Sequence, residues 1–218
     1  MKRLVVLGGG ESGVGTALLG KEKGFEVFVS DYGKLKEEYK DVLIHNEIEW
    51  EEETHTSSKI LNADVVMKSP GISEQVPIVK ALVEQGVLVV SEIEFAAQFT
   101  KANIIGVTGS NGKTTTTMMT HHILQQAQLN VEIGGNIGES FAGLIHKNPD
   151  YFVLELSSFQ LDGIIKFRPN IAVLTNITPD HLDRYDHKFE NYIASKFRIA
   201  MHQTKADFLI YDADDEVI

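Results

Sequence analysis

Short apolar runs rich in β-branched residues alternate along the chain with longer amphipathic stretches. That pattern predicts βα units around parallel sheets buried on both faces. In the first half, Arg3–Leu7, Glu26–Ser30, Asp64–Lys68 and Val87–Ser91 read as strands of one layer. Helices are expected over Val14–Lys23 and Pro77–Gln85, where Pro77 suits a first helical turn and Gly86 a helix end. The polar stretch from His45 to Lys59, with the acidic cluster Glu49, Glu51, Glu52 and Glu53, lacks a clear period and reads as a solvated surface segment.

A second set of runs follows Glu92–Phe99: Asn103–Val107, Val131–Ile133, Tyr151–Leu156, Ile171–Thr175 and Phe208–Tyr211. The first helix of this set is expected to start at Gly112 or Lys113. Each half opens with a glycine-rich strand-to-helix turn. The expected fold class is α/β: a Rossmann-like N-terminal domain over residues 1–93, then a P-loop-type α/β domain over residues 94–218. The chain stops at Ile218 just after an apparent strand, so the second domain is expected to be truncated.

Composition narrows the function classes. With 218 residues and 43% apolar content there is ample material for buried cores. A net charge of -11 with scattered Lys and Arg disfavours non-specific nucleic-acid binding, which needs a clustered basic surface. An anionic ligand must therefore be held by backbone N–H groups, a metal ion or a few placed cations. The absence of Cys excludes disulfides, thiolate metal sites and thiol nucleophiles, and is compatible with a reducing cytoplasm. The apolar run Leu4–Leu7 is too short for a signal-peptide core, and no stretch approaches a membrane span.

The first turn, Gly8-Gly-Gly-Glu-Ser-Gly13, follows a strand and precedes a helix, and Asp31 ends the next strand at the distance expected of a ribose-binding acid. The readings open at this point are a dinucleotide site, a site for another nucleotide, or tight strand–helix packing without a ligand. The second turn, Thr108-Gly109-Ser110-Asn111-Gly112-Lys113-Thr114, leads into a threonine run that includes Thr115. Strand, glycine loop, Lys and helix come in the order a phosphate cradle requires. Backbone N–H groups can wrap phosphate oxygens, Lys113 can neutralise them and the Thr114 hydroxyl can ligate magnesium. The loop is a shorter variant of the usual spacing, because Val107 stands where a first glycine is expected.

Glu155 interrupts an apolar strand near its carboxyl end, where open α/β sheets bind ligands; it reads as a magnesium ligand or half of a buried ion pair. His181, in a polar turn with Asp180 and Asp183, reads as a metal ligand, a phosphate contact or a plain loop residue. Lys196 in the helical stretch Glu190–Met201 is by residue type a solvated surface lysine.

Taken together, Thr108–Thr116, Gly134-Gly-Asn-Ile-Gly138, Glu155-Leu-Ser-Ser-Phe-Gln-Leu161, Asn176–Tyr185 and Ser69-Pro-Gly-Ile72 resemble the Mur ligase family. The Glu155–Leu161 string is similar to that of the branch that adds D-glutamate. The resemblance implies that residues 1–93 hold the UDP end of a peptidoglycan precursor, UDP-N-acetylmuramoyl-L-alanine, with Ser12, Asp31 and Ser69 on the substrate. It implies that residues 94–218 are the N-terminal part of a central ATP-binding domain. There Gly109, Ser110, Asn111, Gly112, Lys113, Thr114 and Thr115 would serve ATP, and Thr114, Glu155 and a carbamylated Lys196 would hold Mg2+. Asn136, Ser157, Gln160 and His181 would approach the precursor or the metal, and Lys113, His181 and Lys196 would be catalytic. The implied reaction is activation of the alanyl carboxylate by ATP to an acyl phosphate, followed by attack of the D-glutamate amine. A chain of this length is expected to bind the precursor without completing the ligation. Two rivals stand beside this: an NAD-dependent oxidoreductase built on Gly8–Gly13 with Asp31, and a non-catalytic nucleotide-binding module.

Overall fold

The computed structural model describes residues 1–218. In chain order its first elements are β1 (Arg3–Leu7), α1 (Glu11–Glu22), β2 (Glu26–Ser30), α2 (Glu37–His45), β3 (Glu49–Glu51), α3 (Ser57–Ile60), β4 (Val65–Lys68), α4 (Pro77–Glu84), β5 (Leu88–Val90) and α5 (Glu92–Ala97). The chain continues through β6 (Asn103–Thr108), α6 (Lys113–Gln126), β7 (Val131–Gly135), α7 (Phe141–Leu144), β8 (Tyr151–Glu155), α8 (Ser158–Asp162), β9 (Ile171–Leu174), α9 (Phe189–Phe197) and β10 (Phe208–Tyr211). Two compact units result: Met1–Phe99 with Phe141–Ile145, and Thr100–Ser140 with His146–Ile218.

The first unit is a parallel five-stranded sheet of order β3-β2-β1-β4-β5. Strand order reverses at β1, whose neighbours β2 and β4 lie on either side, so a crevice opens at the carboxyl ends of these three strands. Leu4 to Leu7 of β1 are fully buried, as a central strand covered on both faces requires. One core cluster gathers Val5, Leu7, Phe28, Ile60, Val66, Val79 and Leu82 from β1, β2, β4 and two helices. Each such fully buried side chain contributes about 1.5–3 kcal/mol of apolar burial.

The stretch from His45 to Lys59 is not a featureless surface segment. It forms the edge strand β3, paired in parallel with Phe28–Ser30, and begins α3. An edge strand of three residues, two of them glutamates, carries no apolar alternation, which is why the period was silent there. Helix α2 was likewise unexpected; Leu43 is its one fully buried residue.

The second unit repeats the plan with order β10-β9-β6-β8-β7, again all parallel. Here β6 is central, and its carboxyl end sits between those of β8 and β9. Phe152, Val153 and Leu154 of β8 are fully buried, and α9 brings Tyr192 into a cluster with Leu174, Ile177 and Tyr185. No helix is long and apolar enough to cross a membrane.

Candidate functional site

Each unit places its glycine turn at its own switch point. In the first, β1 ends at Leu7 and the chain turns through Gly8–Gly10 into α1, whose Gly10 cap has no side-chain partner for the free N–H groups of the first turn. Gly13 is obligatory: a Cβ there would strike the carbonyl oxygen of Gly8, so any side chain would push α1 off the turn. Asp31 directly follows β2 and locks the geometry. Its Oδ2 accepts the Gly9 N–H at 2.6 Å and its Oδ1 that of Gly33 at 2.7 Å.

A cavity of about 1150 Å³ opens over this turn. Gly8, Gly10, Ser12, Asp31 and Ser69 line it, so the structure brings together every residue of the first half expected to touch a nucleotide. Tyr32 and His55 also line it, and sequence reasoning missed both. His55 lies in the stretch without a period, and Tyr32 is an aromatic of the turn after β2 with no motif around it.

In the second unit the turn after β6 is tied to the opposite strand end. The Ser110 N–H donates to the Asn176 carbonyl at 2.8 Å, and the Asn111 N–H to Asn176 Oδ1 at 3.0 Å. The hydroxyl of Thr175 donates to the Asn111 carbonyl at 2.7 Å. Gly109, at φ +142°, packs so closely on Thr175 and Asn176 that a Cβ would collide with the Thr175 hydroxyl. Gly112, at φ +82°, caps α6, and Lys113 opens it with its Nζ donating to the Ser110 carbonyl at 2.9 Å. Thr115 sits exposed on the first turn of the same helix.

Glu155, at the carboxyl end of β8, is nearly fully buried. Its Oε2 accepts the Thr114 hydroxyl at 2.7 Å, and its Oε1 the Asn136 amide at 2.9 Å. Both partners are neutral, and Glu155 makes no ion pair, so the ion-pair reading has no cation to rest on. A carboxylate held by one hydroxyl and one amide beside a phosphate-type turn is a donor set that suits a hard cation. The protein alone does not complete such a site: no group of three or more His, Asp or Glu side chains gathers in metal-binding proximity.

Lys196 departs from the surface position that its residue type suggests. It is 2% exposed, makes no ion pair, and donates to the Thr108 hydroxyl at 3.3 Å while lying 5.3 Å from the Tyr192 ring centre. Burial pushes its amine down to about 8, helped by the charge of Lys113 and opposed by Asp180, Asp162 and Glu155. About half of such amines are neutral at pH 8, the form that can react with carbon dioxide.

Ser157 and Gln160 cap α8. The Ser157 N–H donates to Gln160 Oε1 at 2.9 Å, and the Gln160 N–H returns to the Ser157 hydroxyl at 3.3 Å. Their discriminating appearance in sequence thus has a structural component. His181 is in a left-handed conformation on an exposed turn, 3.5 Å from Asp180, with its ring centre 5.1 Å from that of Phe159 and the two rings tilted at 49°. The structure does not bring it into contact with Glu155.

Two parallel sheets, each with a glycine turn at its switch point, define a doubly wound α/β protein. The chain belongs to the Mur ligase family: residues 107–218 match the Mur ligase middle domain, and residues 3–78 match the MurD N-terminal domain. It is 62% identical over its whole length to the UDP-N-acetylmuramoylalanine--D-glutamate ligase of Christiangramia forsetii and 56% identical to that of Bacteroides thetaiotaomicron, covering 49% of each. The chain therefore spans about half the length of these curated relatives. Among solved structures, a UDP-N-acetylmuramate:L-alanyl-gamma-D-glutamyl-meso-diaminopimelate ligase from Neisseria meningitides aligns with TM-score 0.68 at 21% identity, over 100% of this chain and 73% of that one. The MurC ligase of Thermotoga maritima aligns with TM-score 0.61 at 22% identity, over 100% of this chain and 50% of that one. At such identities the likeness is one of fold.

Proposed function

We propose that this chain carries the nucleotide-precursor site and the triphosphate site of a ligase that joins D-glutamate to UDP-N-acetylmuramoyl-L-alanine in a cytoplasmic step of peptidoglycan synthesis. The observation that supports it most directly is the cluster in the second unit. There Lys113 and Thr114 open α6 at the glycine turn, and Thr114 and Asn136 both bond the buried Glu155. An oxidoreductase would leave that cluster without a task, and family membership replaces that reading.

In this reading the first turn takes the UDP phosphates at the N-terminus of α1, with Ser12 and Ser69 beside them and Asp31 fixing the turn. The second turn, a P-loop-type cradle, takes the ATP phosphates on the N–H groups of residues 109–115. Lys113 would swing from the Ser110 carbonyl to neutralise phosphate charge, which lets an alanyl carboxylate oxygen attack the γ-phosphorus of ATP, forming an acyl phosphate as the bond to the bridging oxygen breaks and ADP leaves. The D-glutamate amine then displaces inorganic phosphate from the acyl carbon. Asn136, Ser157, Gln160 and His181 are assigned to the precursor side. Thr114, Glu155 and a carbamylated Lys196 would hold Mg2+, which supplies further neutralisation of the phosphates. The buried amine of Lys196, which has no ion-pair partner, fits that conversion, since a carbamate replaces a desolvated cation by a metal-binding anion.

Calorimetric titration tests the first half of the proposal. UDP-N-acetylmuramoyl-L-alanine should bind this chain and NAD should not; the reverse order overturns the assignment. Intact-mass measurement in bicarbonate buffer tests Lys196: one added carboxylate, absent in Lys196→Arg, is the expected result.

A further inference from the structure

Ser30, at the end of β2, is fully buried, and its hydroxyl oxygen lies 2.7 Å from Glu51 Oε1 and 2.7 Å from His55 Nδ1. One hydroxyl has one proton to give. Burial alone would raise the Glu51 carboxyl, but the hydroxyl and N–H of Thr56, the Ser30 hydroxyl and the charge of Lys59 hold it below the ordinary carboxylate range. Glu51 is therefore ionised and can only accept. The Ser30 proton points to Glu51, in preference to the more distant Thr54 carbonyl at 3.4 Å, and His55 Nδ1 must then donate to Ser30. Burial also lowers the His55 imidazole, against the charges of Glu51 and Asp31, so the ring is neutral near pH 7. Its proton sits on Nδ1 and its Nε2 is a bare acceptor without a partner.

His55 lines the cavity over the first glycine turn, and with Nδ1 turned to the buried Ser30 hydroxyl the Nε2 edge is the one left for a ligand. Tyr32, 75% exposed, faces the same space with its ring centre 5.7 Å from that of His55, a surface on which a planar base can stack. Both Asp31 oxygens already take backbone N–H groups. The glycine turn follows β1, whereas His55 follows β3, two strands away in the sheet. Two strand spacings amount to roughly 10 Å, a span suited to the distance from the phosphates of a nucleotide to its base.

We propose that His55, held as the Nδ1–H tautomer by Ser30 and Glu51, selects uracil at this site by accepting the imide N–H of the ring at Nε2. The inference rests on the reading of this cavity as the UDP site. Uracil offers a donor at N3 between two carbonyls, whereas cytosine offers an acceptor at N3, which an acceptor Nε2 repels. Ser30 and Glu51 act as positioning residues and His55 as the specificity residue.

Titration with UDP, CDP and N3-methyl-UDP tests this, together with 15N NMR of the imidazole. The wild-type chain should favour UDP over both analogues by about 10-fold, the worth of one hydrogen bond in a partly dry site. His55→Phe should lose most of the preference while binding CDP unchanged, and the NMR should show Nδ1 protonated and Nε2 bare. Equal binding of UDP and N3-methyl-UDP by the wild type, an unchanged UDP to CDP ratio in His55→Phe, or an Nε2–H tautomer overturns the inference and leaves the UDP reading standing. No UDP binding by the wild type overturns the UDP reading and the inference together. The wild-type measurements decide the matter even where the variant fails to fold.

Discussion

At Glu92, in the first turn of α5, a carboxyl group is held entirely out of solvent. Its Oε1 accepts the Ala142 N–H at 2.8 Å, and its Oε2 has no partner. Burial pushes this carboxyl up to about 7; the amides of Ala142 and Phe141 and the Ser12 hydroxyl favour its charged form, and Glu11 opposes them. A raised folded-state value against an ordinary 4.5 means that the neutral acid is the form the fold prefers. Its contribution to stability is full below about pH 4.5 and is lost as pH rises through about 7, a change of ~3 kcal/mol. Glu92→Gln should therefore match the wild type in urea denaturation at pH 4.5 and exceed it by about 3 kcal/mol above pH 8. A variant with the wild-type pH slope would show that the slope arises elsewhere. Neither this residue nor the burial of Lys196 was legible in the sequence. Glu92 follows a strand like many exposed helix-opening acids, and Lys196 looks like any helical lysine; packing made both costly and informative.

The elements around the two turns obey strict steric terms. In the first unit, Gly13→Ala would drive a methyl group into the Gly8 carbonyl oxygen. Because backbone cannot yield as a side chain can, the loss should reach about 3 kcal/mol, the upper end of overpacking costs. Thermal denaturation should register this, and UDP affinity should fall with it because α1 moves; an unperturbed melting temperature would mean that the turn has more freedom than its geometry allows. In the second unit, Ser157→Ala removes the side-chain half of the α8 capping box and should cost about 1 kcal/mol. Ser157→Thr should restore most of it, and equal stability of all three chains would deny the cap any weight. The turns were legible because strand, glycines and helix are contiguous, so a local string carries the whole motif. Strand β3 and helix α2 were not, since one is a charged edge and the other buries little.

In the whole molecule the two compact units do not follow a single cut in the chain. Phe141, Ala142, Leu144 and Ile145 come after β7 of the second sheet yet are buried in the first unit, where α7 packs on α1 and α5 and supplies the N–H that Glu92 accepts. A piece ending at Phe99 would lose this cover. The apolar contacts of Phe141 and Leu144 on α1 and α5 would be lost, each side chain being worth roughly 1.5–3 kcal/mol of burial. Residues 1–99 alone should thus unfold at lower urea than the same unit within the 218-residue chain, as followed by Trp50 fluorescence. Equal midpoints would make α7 dispensable.

What the sequence determined by itself is whatever is written locally: the alternation of strand and helix, the two glycine turns, and the residues Lys113 and Thr114 that open α6. Each follows from steric and hydrogen-bonding rules acting over a few neighbours. The tertiary structure decided what depends on residues far apart in the chain. It joined Thr114, Asn136 and Glu155 into one cluster and buried Lys196. It also set the His55 tautomer through Ser30 and Glu51 and lodged α7 in the first unit. Burial and hydrogen-bond direction are properties of an environment, and no run of residues contains its own environment.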